Sequence, residues 1–350
     1  MKIVDDIKLD FSDVLLLPKR SPYSSRSEVA LERTITFKYS PQTWTGIPIM
    51  VSNMDTTGTL EMAKEMEKHK VITCLHKYYT AADILSHGQE LNKNYYAVTS
   101  GINDADLLNL EEIMQRVNPN IICMDVANGY MNKFVEKCKH VRERYPDKII
   151  IAGNVCTSEG VLDLVMNGKV DIVKVGLGNG SCCTTRKQTG IGMPQLSAVM
   201  ECSDTAHGID AHIISDGGIQ VIGDFSKAYA GGADFVMSGS MFAGHLESGG
   251  ELIDDLVKGK KYKVFYGMSS TTAMNKYSGG VAKYRSSEGK TVKVEYKGPV
   301  ETTLLDILGG IRSCMTYLGA KKIKDIPKCA TFIRVNRQLN QLYNGLEVNL

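Results

Sequence analysis

No apolar run in this sequence approaches the ~18 residues that a membrane-spanning helix requires. Neither sign of charge is in excess: 41 basic residues face 39 acidic ones, a formal charge of +2, which argues against nucleic acid or a membrane surface as the main partner. The opening, MKIVDDIKLDF, has acids where a secretory signal needs basic and then apolar residues, so a cytoplasmic protein is expected. No C-x-x-C pair occurs among the nine cysteines, at 74, 123, 138, 156, 182, 183, 202, 314 and 329, which argues against a zinc site of the usual spacing. An odd count in a long chain also argues against disulfides and leaves most of these thiols as small core residues. The seven histidines show no H-E-x-x-H or comparable spacing; only His76, beside Lys77 at a strand end, is a candidate for function. Two nucleotide motifs are incomplete as well. G-x-G-x-x-G would need glycine where Ser181 stands, and a P-loop ending in GKT would need its first glycine at Tyr284.

What the chain does contain is alternation. Eight short apolar runs recur: IPIMVSN (47–53), VITCLH (71–76), YYAVTSG (95–101), IICMDVAN (121–128), IIIAGNV (149–155), DIVKVGL (171–177), HIISDGG (212–218) and FVMSGSMF (235–242). Between them, stretches such as LEMAKEMEKHK and VEKCKHVRERYP read as amphipathic helices. Continuous apolar runs are strands buried on both faces, and eight strand-helix units predict an α/β fold, a closed (β/α)8 TIM barrel rather than an open doubly wound sheet. A single catalytic domain over 1–350 is expected. In such a barrel the polar and glycine-rich strand ends at 52–55, 125, 153–154, 176–180, 216–218 and 239–240 share the catalytic face. The Gly-, Ser-, Lys- and Tyr-rich stretch that follows, about 262–300, lacks a sustained helical period and reads as a mobile flap over that face, with a last helix from about Glu301.

The stretch VGLGNGSCCTTRKQTGIG (175–192) follows the sixth run. Gly176, Gly178 and Gly180 permit positive φ and let the backbone approach a ligand or ion. A thiol held there is exposed enough to attack, and Arg186 and Lys187 would favour its thiolate form. The plainer alternative is a tight turn with two incidental cysteines. ISDGG and MSGS close the seventh and eighth runs, where barrels build phosphate sites, and Asp216 would accept hydrogen bonds from a ribose diol; together they suggest a nucleoside monophosphate. Each glycine pair is singly also an ordinary strand-to-helix turn. Glu288 is a candidate proton-transfer carboxylate that flap closure would bring to the face, although taken alone it reads as solvated surface.

GNGSCCTTR, taken with ISDGGI, YGMSS and YRSSEGKT, resembles the IMP dehydrogenase and GMP reductase family. The likeness covers nearly the whole chain, from LDFSDVLLLPKRS through DVANGY and AGNV to DILGGIRS. The chain has no room for the regulatory domains that typical dehydrogenases of the family insert in the barrel, and DVANGY and HKYY are similar to the reductase versions of their loops. The resemblance therefore implies reductive deamination of GMP to IMP with NADPH, a reaction of purine nucleotide interconversion and salvage.

The family pattern glycine, variable, glycine, serine, variable, cysteine, threonine makes Cys183 the nucleophile and leaves Cys182 as packing. By resemblance, Cys183 attacks C2 of the guanine ring, ammonia leaves, and a covalent thioimidate remains to receive the hydride. Thr185 and Glu288 match the pair that handles the proton for the departing ammonia, where the family's dehydrogenases use an arginine and a tyrosine. Backbone carbonyls of Gly178, Gly180 and Cys183 match a monovalent cation site, taken as potassium. Positions matching contacts to GMP are Ser181, Asp216, Gly218, Gly239, Ser240, Met268, Ser269, Arg285, Ser287 and Gly289. Those matching contacts to NADPH are Lys77, Asp125, Val126, Ala127, Ser313, Cys314, Met315 and Thr316, with Ser25 and Arg26 reaching from a neighbouring subunit, which implies a homotetramer. Two departures, Ser240 where glycine is common and SSTTAM where SSEMAM is usual, bear on the shape of the purine site. Two alternatives stay open: a dehydrogenase running the opposite redox direction with water and NAD, and an inert barrel that only binds a purine nucleotide.

Overall fold

The computed structural model describes residues 3–88, 91–257, 259–284 and 286–336. All eight apolar runs are strands: β1 (Ile49–Val51), β2 (Ile72–Cys74), β3 (Tyr96–Ser100), β4 (Ile121–Asp125), β5 (Ile149–Val155), β6 (Ile172–Val175), β7 (His212–Asp216) and β8 (Phe235–Ser238). They pair in parallel in chain order, and β8 closes onto β1 with Val236 opposite Ile49. Helices fill the crossovers: α1 (Leu60–Met66), α2 (Ala81–Gly88), α3 (Asp104–Arg116), α4 (Asn132–Arg144), α5 (Ser158–Met166), α6 (Gln195–Gly208) and α7 (Gly223–Ala230). Thr59 and Thr157 start α1 and α5 by accepting the amides of Met62 and Gly160, so the strand-to-helix turns are specified locally. The closed parallel barrel with its surrounding helices is the (β/α)8 architecture expected from the alternation.

The core lies in two layers. Residues such as Val51, Ile122, Ile150 and Val173 pack outward against the helices, while Met50, Ile72, Cys74, Ile121, Cys123, Ile151 and Phe235 fill the barrel itself. A hairpin of Arg33–Thr36 with Thr43–Gly46 belongs to this inner cluster through Ile35 and Trp44, and plugs the end of the barrel at which the strands begin. The Trp44 ring lies 5.1 Å from that of Phe235, and its Nε1 donates to the Asn94 carbonyl at 2.8 Å.

A buried charge ties the lower ends of the strands together. Asp171, wholly buried, pairs with Arg142 and accepts the amides of Tyr39, Ser40 and Ile150. Arg142 also donates to the carbonyls of Lys148 and Lys169. Arg142→Met should destabilise the fold by about 3–5 kcal/mol, because it strands a buried carboxylate, while leaving kcat of the folded fraction unchanged. Denaturant titration of both proteins checks this.

After β8 the chain leaves the barrel. An antiparallel sheet follows, of β9 (Leu252–Asp255), β10 (Lys260–Tyr266) and β11 (Thr291–Glu295), with helix α8 (Thr271–Tyr277) between β10 and β11; the stretch read as a flap without sustained helical period, about 262–300, holds most of it. Ser270 caps α8 by accepting the Ala273 amide. The eighth barrel helix, α9 (Val300–Leu318), then follows where a helix from about Glu301 is expected.

Candidate active site

The loop after β6 needs glycine at two points. A Cβ on Gly176 would meet the Asp216 carbonyl of β7 at 2.2 Å, and Gly178 has a left-handed φ of 76°. Gly180 does not share this: its φ is not left-handed, and a Cβ there would make only ordinary contact with Cys183, at 3.5 Å.

The loop presents the Cys183 thiol 3.1 Å from the hydroxyl of Thr185, to which it donates. Thr185 Oγ1 in turn donates to Glu288 Oε2 at 2.7 Å, across 103 residues of sequence. Glu288 is seated there by its backbone. The Thr184 amide donates to the Glu288 carbonyl at 2.8 Å, the Lys290 amide donates to the Cys182 carbonyl at 2.9 Å, and Gly289 pairs with both Cys183 and Ser270. The insertion after β8 thus lies along the cysteine loop like a short antiparallel strand. Cys182 is only 4% exposed and packs against Ala243 and Phe265, and burial pushes its thiol pKa above the ordinary value.

A cavity of about 260 Å³ opens at the ends of the strands, and Cys183, Thr185 and Glu288 line it. Of the residues assigned to the nucleotide, Ser181, Asp216, Gly218, Gly239, Ser240, Met268 and Ser269 also line it. Ser287 and Gly289 flank Glu288, with the Ser287 hydroxyl donating to the Gly289 carbonyl at 3.2 Å. Arg285 lies outside the described residues. Asp125, Val126 and Ala127, assigned to the cofactor, form another part of the wall.

The remaining cofactor positions do not join this wall within one chain. Lys77 is paired with Asp106 at 3.1 Å. Ser313, Cys314, Met315 and Thr316 lie in the last turns of α9, where the Met315 side chain is fully buried. Ser25 and Arg26 belong to a turn that packs on α9.

The charge assignment beside the thiol needs correction. Arg186 is turned from the thiol, with its guanidinium on Asp10 Oδ2 at 3.3 Å and the Met193 carbonyl at 2.7 Å, and Lys187 is exposed. His76 stacks on Tyr79 with ring centroids 4.0 Å apart, and burial pulls its pKa down to about 4, so it is neutral near pH 7.

The pocket floor holds a group that the sequence reading missed. Lys174 of β6 is 2% exposed, and its ammonium lies 2.5 Å from Asp125 Oδ1 and 3.2 Å from Asp216 Oδ2. Burial works against this charge, but Asp125 and then Asp216 outweigh it and hold the Lys174 pKa well above its ordinary value. Asn154 Nδ2 donates to Asp216 Oδ2 at 2.9 Å. The signal was a lysine inside an otherwise apolar strand, DIVKVGL, which only a buried counter-charge tolerates.

Asn154 Oδ1, on a residue of the cavity wall, is buried without a hydrogen-bond partner, as expected of a wall completed by a polar ligand. The carbonyls near the thiol suit a monovalent cation, since neutral oxygens impose no charge excess. Gly180 O already accepts the Cys183 amide at 3.0 Å but keeps a second lone pair. Among the described residues, no helix is long and apolar enough to cross a membrane.

Residues 8–340 match the family described as IMP dehydrogenase / GMP reductase domain. GMP reductase 2 of Homo sapiens is 55% identical over 346 residues, spanning 98% of each chain. GMP reductase of Klebsiella pneumoniae is 52% identical over 351 residues, 99% of this chain and 100% of that one. GMP reductase of Caenorhabditis elegans is 52% identical over 352 residues, 99% and 97% respectively. With the barrel and its cysteine loop, these matches establish that the chain belongs to the IMP dehydrogenase/GMP reductase family and is an oxidoreductase.

Proposed function

We propose that this protein is a GMP reductase, converting GMP, NADPH and protons to IMP, NADP and ammonium in purine nucleotide salvage. The observation that carries the reading is the hydrogen-bonded chain from Cys183 Sγ through Thr185 Oγ1 to Glu288 Oε2. A hydroxyl that accepts from a thiol and donates to a carboxylate is a proton relay. It moves the thiol proton toward Glu288 as Cys183 Sγ bonds to C2 of the guanine. The same relay run backwards protonates the exocyclic amine, without which the C2–N bond would have to expel an amide ion. Ammonia leaves, and the purine remains bound to Cys183 as a thioimidate. Reduced nicotinamide, when bound beside Asp125, Val126 and Ala127, supplies a hydride to C2. The C2–S bond then breaks, its electrons returning to sulfur and freeing IMP.

Asp216, neutralised on one side by Lys174, is suited to a ribose diol, and the loops at Gly218 and Gly239–Ser240 to the phosphate. Potassium on the carbonyls of Gly178, Gly180 and Cys183 would fix the cysteine loop. The assignment of Ser25 and Arg26 to a neighbour's cofactor site makes the active form a homotetramer. A cytoplasmic location accords with this role.

One reaction tests the reading: purified enzyme with GMP, NADPH and potassium, following reduced cofactor and ammonia together. Equal rates are expected, falling when sodium replaces potassium. Oxidation of IMP by NAD outpacing GMP reduction would make the protein a dehydrogenase; GMP binding with no turnover in either direction would favour a sensor.

A further inference from the structure

Asp55 follows β1 at the barrel rim, outside the relay just described, and its side chain is 1% exposed. Its Oδ2 accepts three hydrogen bonds: from Tyr266 Oη at 2.5 Å, Tyr277 Oη at 2.8 Å and Lys276 Nζ at 3.0 Å. All three donors belong to the insertion after β8. Tyr266 ends β10, and Lys276 and Tyr277 end α8. Asp55 Oδ1 is buried and makes no hydrogen bond. The carboxylate is therefore matched through one oxygen alone, and a buried carboxylate stripped of its donors is costly. Rim and insertion depend on each other at this point.

The turn bearing Met268 and Ser269 runs between these anchors, and the amide of Glu288 donates to the Ser269 carbonyl at 3.0 Å. Tyr277 adds a second attachment. Its ring lies flat on that of Tyr78, centroids 3.5 Å apart and planes 4° apart, next to Lys77. Burial, and then the bond to Asp55, push the Tyr277 phenol above its ordinary pKa, so it stays a donor at working pH.

We propose that Asp55 is a positioning residue: by clamping Tyr266, Lys276 and Tyr277 to the barrel rim it holds Glu288 against Thr185, and so serves the deamination step in particular. The proposal rests on the reading above, since it is ammonia loss that uses Glu288. In the half-reaction with IMP, Glu288 serves only to take up the thiol proton, whereas ammonia loss also needs that proton returned to a poor leaving group, so the clamp bears on hydride transfer less.

The test uses the full-length enzyme and the variants Asp55→Asn, Tyr277→Phe and Lys276→Met. In Asp55→Asn, amide hydrogen exchange over residues 267–290 should quicken about tenfold or more without any ligand. Single-turnover ammonia release from GMP should fall about 100-fold, the cost of a small misplacement of a reacting group. The reverse half-reaction, in which Cys183 adds to C2 of IMP as NADP takes the hydride, should fall less, by about tenfold, because there the relay only takes up the thiol proton. Tyr277→Phe, which keeps the stacked ring, and Lys276→Met, at a half-exposed side chain, should each slow ammonia release about tenfold with no loss of fold. Unchanged exchange, or equal losses in both half-reactions, overturns the clamp. A parent enzyme that releases no ammonia defeats the functional reading instead, and the exchange result alone then decides for or against the clamp.

Discussion

Cys183→Ala abolishes turnover of GMP, by about 10⁴-fold or more, whereas Cys182→Ala leaves kcat within about threefold. The two thiols are chain neighbours with opposite surroundings. Cys183 is partly exposed at the cavity and hydrogen-bonded to Thr185, so it has both room to attack and somewhere to send its proton. Cys182 faces Ala243 and Phe265, where removing one sulfur costs about 1 kcal/mol of packing and no chemistry. Steady-state rates of both variants, with denaturation curves to show that each is folded, check this. An inert Cys182→Ala beside an active Cys183→Ala would mean that the nucleophile has been assigned one residue out of register.

The second large effect is at Glu288. Gln at this position keeps the shape and still accepts from Thr185 Oγ1 through its amide oxygen, but it cannot take up or return a proton. Ammonia release should slow about 10²–10⁴-fold, and hydride transfer between IMP and NADP less, by about tenfold, since it uses the carboxylate only to take up the thiol proton. Rapid quench for ammonia, against stopped-flow absorbance for the cofactor, separates the steps. A normal rate of ammonia release in Glu288→Gln would remove this carboxylate from the mechanism.

The barrel was legible because a strand buried on both faces writes itself as an unbroken apolar run, and all eight such runs became strands. The insertion was not. TVKVE alternates polar with apolar residues, the signature of a half-exposed antiparallel strand, while KKYKVFY runs from charged to apolar, and a search for helical period passes over both. In the site, the glycine-flanked thiol stood out locally, but the choice of Cys183 over Cys182 and its link to Glu288 came from the family pattern. No local rule joins residues 103 positions apart. Arg186 was misread for the converse reason: three positions from the thiol in sequence, it points to Asp10 instead. Lys174 was hidden because its two carboxylates, Asp125 of β4 and Asp216 of β7, lie more than 40 residues away on either side in sequence.

Trp44 is the sole tryptophan of the chain, 2% exposed, and sits in the hairpin that plugs the barrel opposite the cavity. Its indole is therefore a built-in optical reporter of one event, the opening of the barrel's closed end. Emission excited selectively at the indole will follow global unfolding and stay silent when the nucleotide enters at the far mouth. Stability and ligand binding can thus be read separately in the same cuvette without a label.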